Sequence, residues 1–273
     1  MATTNSRPPA PPFPEGIRRG LWVVLGCLVC FQGTFDAGAA DAPRVTAVTP
    51  RPQRVYDEAR ARCRKETNSV EAAWQLGRAT FGLAEVAVDD AGRAALANEG
   101  IGACRRAITL DPASAAAHYY LGLNYGQLAQ TKLLGALKLV EQMEAEWKIT
   151  VRIDPRYDYA GGYRTLGILY RDAPGWPTSI GSRAKSRQQL LKAQELQPDY
   201  PGNRLTLYES YAKWGEKKLV QDHVAATEEF LNKARARLFG EEWALDWEDW
   251  NKRWESIKVK CSVVTVRSPR ESR

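Results

Sequence analysis

The stretch Cys104–Tyr125, CRRAITLDPASAAAHYYLGLNY, closes one helix, turns at a proline and opens another. Its first half spaces Cys104, Ala107 and Pro112. Its second half spaces Leu121, Gly122 and Tyr125. Both halves recur. Leu76-Gly77, Leu121-Gly122 and Leu166-Gly167 are 45 residues apart each time, and Pro112, Pro155 and Pro198 are 43 apart. Tyr125 and Tyr170 keep the same offset after the dipeptide, and Tyr211 follows Leu207-Tyr208 at that offset in a fourth copy. A fixed period of roughly 20–50 residues marks a solenoid, in which each unit buries its apolar face against its neighbours. The expected fold class is therefore all-α, an α-solenoid of about four helix pairs with a C-terminal capping helix.

Working outward, the proline steps set the element boundaries. Asp111-Pro112, Asp154-Pro155 and Gln197-Pro198 place a proline where the chain leaves one helix and starts the next, because proline lacks an N–H and clashes with a preceding turn. The spacing predicts a short lead helix over Tyr56–Lys65 and helix pairs near Val70–Val86 with Gly92–Leu110, then Ser114–Gln130 with a partner ending near Ile153. It predicts Tyr157–Tyr170 with Arg183–Leu196, then Arg204–Trp214 with Lys218–Phe239. The repeat domain is thus expected over 56–240.

These residues resemble the tetratricopeptide repeat. Leu121-Gly122-x-x-Tyr125 and Leu166-Gly167-x-x-Tyr170 match its first helix, and Cys104-x-x-Ala107-x4-Pro112 and Leu190-x-x-Ala193-x4-Pro198 match its second. Glycine at the crossing lets two helix backbones approach, alanine does the same on the partner, and the aromatic fills the wedge. The period departs from the family's roughly 34 residues. The surplus falls between the two helices of a unit, on an edge that often binds. The long period also leaves a HEAT-like array as an alternative. One such insertion, Asp172–Ser182 (DAPGWPTSIGS), resembles exported repeat proteins grouped with the T component (TatT-like) of tripartite ATP-independent periplasmic (TRAP) transporters. That resemblance implies a periplasmic accessory acting beside a solute-binding protein. Within the insertion, Pro174, Gly175 and Pro177 stiffen a loop expected to fold Trp176 back over the helix pair, the alternative being a ligand contact.

The N-terminus reads as an export signal over residues 1–40. Arg18-Arg19 precedes the apolar run Leu21–Phe31, and Ala37–Ala40 supplies small residues for cleavage. That order describes a secretory signal peptide, and the run is too short for a span of about 20 residues. The arginine pair matches a twin-arginine motif poorly. Val24–Cys27 resembles a lipoprotein box, so a membrane tether would follow only if Cys27 were lipidated. Residues 41–55 carry three prolines and read as a linker. Export would place the protein in the periplasm or cell envelope. It would also permit one disulfide, Cys63 with Cys104 being the pair best placed for it, against three unpaired thiols.

At the other end, Trp243, Trp247, Trp250 and Trp254 fall on one helical stripe, with Asp246, Glu248, Asp249, Lys252 and Arg253 on the other faces. Residues 241–261 are expected to cap the repeat array, the alternative being an aromatic docking surface. Residues 262–273 read as a frayed tail.

The net charge of +7 is spread along the 273 residues with no basic stripe, which argues against nucleic acid. No nucleophile elbow, phosphate loop, dinucleotide fingerprint or zinc motif is present, so no catalytic residue, metal or cofactor is expected. The two histidines, His118 and His223, read as satisfied helix residues. The expected function is non-catalytic binding of a protein, peptide or small solute in a groove, and a homo-oligomer is compatible with it. The candidate contacts are Tyr119, Asn124, Tyr163, Arg164 and Trp176.

Overall fold

The computed structural model describes residues 51–132 and 135–262. The expected signal peptide, most of the linker and the tail beyond Ser262 lie outside the described residues. These residues form two compact units that divide at Asp154 and Pro155. Every named element in them is a helix, so the all-α helix-pair class read from the repeat is the class found.

The first unit contains α1 (Arg51–Lys65), α2 (Val70–Ala84), α3 (Asp90–Leu110), α4 (Ala115–Gln130) and α5 (Ala136–Ile153). Residues 51–55, expected to be linker, are the first turn of α1. Pro52 is tolerated there because a first-turn N–H has no intrahelical partner to lose. Side-chain caps start three of the helices. Ser69, Asp89 and Ser114 each accept a hydrogen bond from the backbone N–H three residues on, satisfying donors the helix cannot. Helices α2 and α4 run parallel and touch. Trp74 stacks on Tyr120 with ring centroids 5.9 Å apart, and Asn124 Nδ2 donates to the Gly77 carbonyl at 2.8 Å.

The second unit contains α6 (Tyr157–Asp172), α7 (Arg183–Leu196), α8 (Pro201–Lys213), α9 (Lys217–Gln221), α10 (Val224–Arg237) and α11 (Ala244–Cys261). Helix α6 begins abnormally. Asp158, Tyr159 and Ala160 all have positive φ, at 50°, 54° and 61°. A left-handed turn of L-residues costs roughly 1–2 kcal/mol per residue. Arg164 spans the turn, donating to the Asp158 and Tyr159 carbonyls and pairing with the Asp158 carboxylate at 3.2 Å. Asn203 of α8 accepts from Arg164 at 3.0 Å and donates to the Tyr159 carbonyl at 3.0 Å.

In each of the first three helix pairs, a glycine on the first helix lies directly under a side chain of the second. A Cβ on Gly77 would lie 2.1 Å from Cys104 Sγ, one on Gly122 2.4 Å from Trp147 Nε1, and one on Gly167 2.4 Å from Leu190 Cδ2. Leu76, Leu121, Leu166, Tyr125 and Tyr170 are buried around these crossings, as are Ala107 and Ala193. The fourth pair has Tyr208 where the others have glycine. A phenol cannot be crossed at that distance. The single helix expected over Lys218–Phe239 is instead broken between α9 and α10, and Tyr208 packs its ring beside His223 and Trp254.

Helix α11 caps this unit. Trp243, Trp247, Trp250 and Trp254 are all buried, in one cluster with Tyr200, Leu205, Tyr208 and Ile257. Two residues expected on its solvated faces are buried instead, Asp246 and Arg253. Arg253 reaches α8, donating to both Glu209 carboxylate oxygens at 2.9 and 3.1 Å and to Thr206 Oγ1 at 2.7 Å. Of the two alternatives the cysteines allow, a Cys63–Cys104 disulfide or three unpaired thiols, the structure has the second: Cys63, Cys104 and Cys261 are free and buried.

Candidate functional site

The five contacts expected from the sequence are divided between the two units, Tyr119 and Asn124 in the first and Tyr163, Arg164 and Trp176 in the second. Tyr119 is buried, with its carbonyl accepting from Trp147 Nε1 at 3.2 Å. Asn124 is completely buried and gives its amide to the Gly77 and Tyr120 carbonyls, both at 2.8 Å. Arg164 is buried in the left-handed turn described above. These three side chains do not line an open groove: all three are buried, and Asn124 and Arg164 are needed to satisfy backbone carbonyls that would otherwise be stranded. Tyr163 is half-buried.

Trp176 departs from expectation in the opposite direction. It does not fold back over the helix pair but is 89% exposed. The loop closes beneath it. Gly181 N donates to the Pro174 carbonyl and Ser182 N to the Tyr170 carbonyl, both at 2.8 Å. A Cβ on Gly181 would lie 2.1 Å from the Ala173 carbonyl oxygen, so only glycine permits this closure. The Trp176–Pro177 peptide is cis. An indole held in water has no packing role to explain it, and exposed tryptophan is a common anchor in protein interfaces.

The loop delivers the chain into α7, whose N-cap Ser182 accepts from Lys185 N at 3.3 Å. Helix α7 buries Ser186, Leu190 and Ala193. Its opposite face carries Arg183, Ala184, Arg187, Gln188 and Leu191, which line an open groove. Arg183 and Arg187 are one helical turn apart, so both guanidiniums reach the same neighbours. They lie 5.3 and 5.2 Å from the Trp214 ring, and Arg187 also lies 5.5 Å from Tyr211. Both pair with the Glu216 carboxylate. Burial would raise the Glu216 pKa, but hydrogen bonds from Arg187 and Arg183 outweigh it and hold the carboxyl below its usual range. Lys185 lies 5.4 Å from the Tyr170 ring.

This cluster places cations where the helix dipole disfavours them. The first turn of α7 holds no acidic residue, and a cation at a helix N-terminus costs about 0.3–1 kcal/mol. One carboxylate opposite two guanidiniums leaves the patch positive. It can hold an anion against an aromatic and aliphatic floor. It offers no proton donor and acceptor pair for acid–base chemistry. Among the described residues, no group of His, Cys, Asp and Glu is placed to hold a metal ion, and no helix is long and apolar enough to cross a membrane. His118 is a satisfied helix residue, with Nδ1 2.6 Å from Glu146 Oε2 and Nε2 3.1 Å from the Pro112 carbonyl.

Sequence reasoning missed this patch. Arg183 and Arg187 are visible as an i, i+4 pair, but their partners Trp214 and Glu216 stand about thirty positions away in the link between α8 and α9.

Comparison with known proteins agrees with the helix-pair geometry. A family model described as "Regulator of microtubule dynamics protein 1-3" matches residues 49–156. The chain is also similar to the crystal structure of a thermophilic tetratricopeptide-repeat protein from Thermus thermophilus. The identity is 20%, the match covers 77% of this chain and 91% of that one, and the TM-score is 0.55. None of the curated proteins matches. The fold is thus of the tetratricopeptide type.

Proposed function

We propose that this protein is a non-catalytic helical-repeat scaffold that binds a protein partner, with Trp176 and the exposed face of α7 as its contact surface. The observation that carries this reading is the exposure of Trp176 at 89% on a loop whose backbone is tied down at both ends. A rigid apolar anchor beside a fixed positive patch is the composition of an interface centre. The family match over residues 49–156, to a family named for regulating microtubule dynamics, favours a protein over a small solute. The test is affinity capture with the full chain and with Trp176→Ala, followed by reconstitution of any enriched partner from purified components. A partner whose reconstituted affinity falls at least tenfold in the variant supports the reading. A partner bound equally by both, or turnover of a substrate by the purified chain, overturns it.

A second reading follows from the loop sequence Asp172–Ser182, whose resemblance to T-component proteins of TRAP transporters points to an exported accessory beside a solute-binding protein. Its support is the resemblance together with the signal-like residues 1–40, which lie outside the described residues. Intact mass and N-terminal sequencing of protein from a cell-envelope fraction test it. A chain starting near Asp41, or at a lipidated Cys27, agrees with export, and an uncleaved cytoplasmic chain overturns it.

A further inference from the structure

We infer that the outer face of α7 docks an extended acidic peptide segment, with the Glu216 carboxylate occupying the place of a ligand carboxylate in the free protein. The inference deepens the scaffold reading and rests on it.

Three observations identify the occupant. The first is charge. Helix α7 carries Arg183, Lys185, Arg187 and Lys192 against a single carboxylate, Glu195, which lies in its last turn and pairs with Lys192. Arg183 and Arg187 share one carboxylate, Glu216, supplied from the α8–α9 link. The second is preorganisation. Trp214 backs both guanidiniums at 5.3 and 5.2 Å, so the planar cations are held before a ligand arrives and little side-chain freedom is lost on binding. That the two already close on one carboxylate shows that their spacing suits this group. The third is the lining. Leu191 is 45% exposed in the same groove, and it stands one turn beyond Arg187.

The spacing selects an extended peptide. Four helical residues rise about 6 Å, and two residues of an extended strand rise about 6.6 Å. Alternate side chains of a strand laid along α7 would therefore meet Arg183, Arg187 and Leu191 in turn. The segment that fits places two carboxylates and then an aliphatic side chain on one face. Glu216 is then a competitor within the chain, displaced as the peptide docks.

The test uses the full chain and a fluorescein-labelled peptide repeating Glu-Ser-Glu-Ser-Leu, with Gln replacing Glu as the control, followed by fluorescence anisotropy. Saturable binding of the acidic probe alone is expected. Gln188→Glu adds a like charge on the exposed face without touching the Arg–Trp stack, and should weaken binding at least tenfold. Arg187→Glu should do the same, with thermal melts confirming folding. The sharpest arm is Glu216→Gln, which should tighten the probe several-fold because the internal competitor is gone. An unchanged or weaker affinity in Glu216→Gln overturns the inference. So does an equal loss in Lys138→Glu, which alters the exposed surface of α5, because attraction would then be diffuse. Binding to phosphatidylserine vesicles without binding to the peptide would also overturn it, making the patch a lipid-headgroup contact. A captured partner insensitive to Gln188→Glu overturns this inference while leaving the scaffold reading intact.

Discussion

Gly122 of α4 and Trp147 of α5 cross so closely that a methyl group on the glycine would lie 2.4 Å from the indole nitrogen. That nitrogen donates to the Tyr119 carbonyl at 3.2 Å, so the missing side chain and the hydrogen bond depend on each other. Gly122→Ala should displace the ring, strand a buried donor and destabilise the protein by about 2–3 kcal/mol. Gly102 supplies the control, since an added Cβ there meets nothing within 4 Å. Gly102→Ala should stabilise by about 0.5–1 kcal/mol through helix propensity. Chemical denaturation of the two variants should move the midpoint in opposite directions.

The buried pair of Arg253 and Glu209 holds the capping helix on α8, with both side chains about 5% exposed or less. Removing one partner leaves an uncompensated buried charge, so Arg253→Met should cost about 3–5 kcal/mol. Arg253→Met with Glu209→Met should recover much of the loss, because two apolar groups of similar size need no hydrogen bonds. A double-mutant cycle by denaturant melts measures the coupling. A double variant no more stable than Arg253→Met would show that the stranded Glu209 charge is not the source of the loss.

The left-handed turn at Asp158, Tyr159 and Ala160 offers a gain instead of a loss. Ala160 has φ 61°, where a Cβ is unfavourable. Tyr159 is needed for its stacking on Tyr200 at 4.5 Å, and Asp158 for its pairing with Arg164. Ala160→Gly should raise stability by about 0.5–1 kcal/mol once the loss of the buried methyl is included. A lower melting temperature would mean that the packing of that methyl outweighs the strain.

His118 links α4 to α5 through Glu146 and faces the Pro112 carbonyl. A carbonyl can only accept, so Nε2 carries a proton, and a carboxylate on the other side favours a second. Burial lowers the His118 pKa, but the Glu146 and Pro112 hydrogen bonds outweigh it and the net shift is upward. The folded pKa therefore exceeds the unfolded one. The stability from this group is fully present below about pH 6.5 and is lost as pH rises through the folded value. The stability difference between the wild-type chain and His118→Gln should be largest in mild acid and shrink above neutrality. A difference constant from pH 5 to pH 9 would contradict a charged His118.

The repeat was legible because it is periodic. Gly77, Gly122 and Gly167 and the three prolines sit at fixed intervals, and a close helix crossing has few chemical solutions. Trp147 escaped notice, although Trp147-x-x-Thr150-x4-Pro155 has the spacing of Cys104 and Leu190. Its Thr150 stands where alanine was sought, and a tryptophan does not read as the partner of a glycine. The candidate site was less legible. Asn124 and Arg164 are expected to line the groove as side chains on the first helix of their repeats. Here both are buried: Asn124 serves the Gly77 carbonyl of α2, and Arg164 serves the left-handed turn of its own helix while donating to Asn203 of α8, arrangements that exist only after the helices have packed.

The sequence by itself determined the helix-pair architecture, the proline-set boundaries and the tryptophan stripe of the cap, because each is a local pattern with one helical interpretation. Only the tertiary structure decided that the second helix of the fourth pair is broken with Tyr208 packed against Trp254, that Arg253 is buried against Glu209, and that Arg183, Arg187, Trp214 and Glu216 form one charged surface. Those facts depend on residues about thirty to forty-five positions apart meeting in space, and chain periodicity carries no information about which side chains meet.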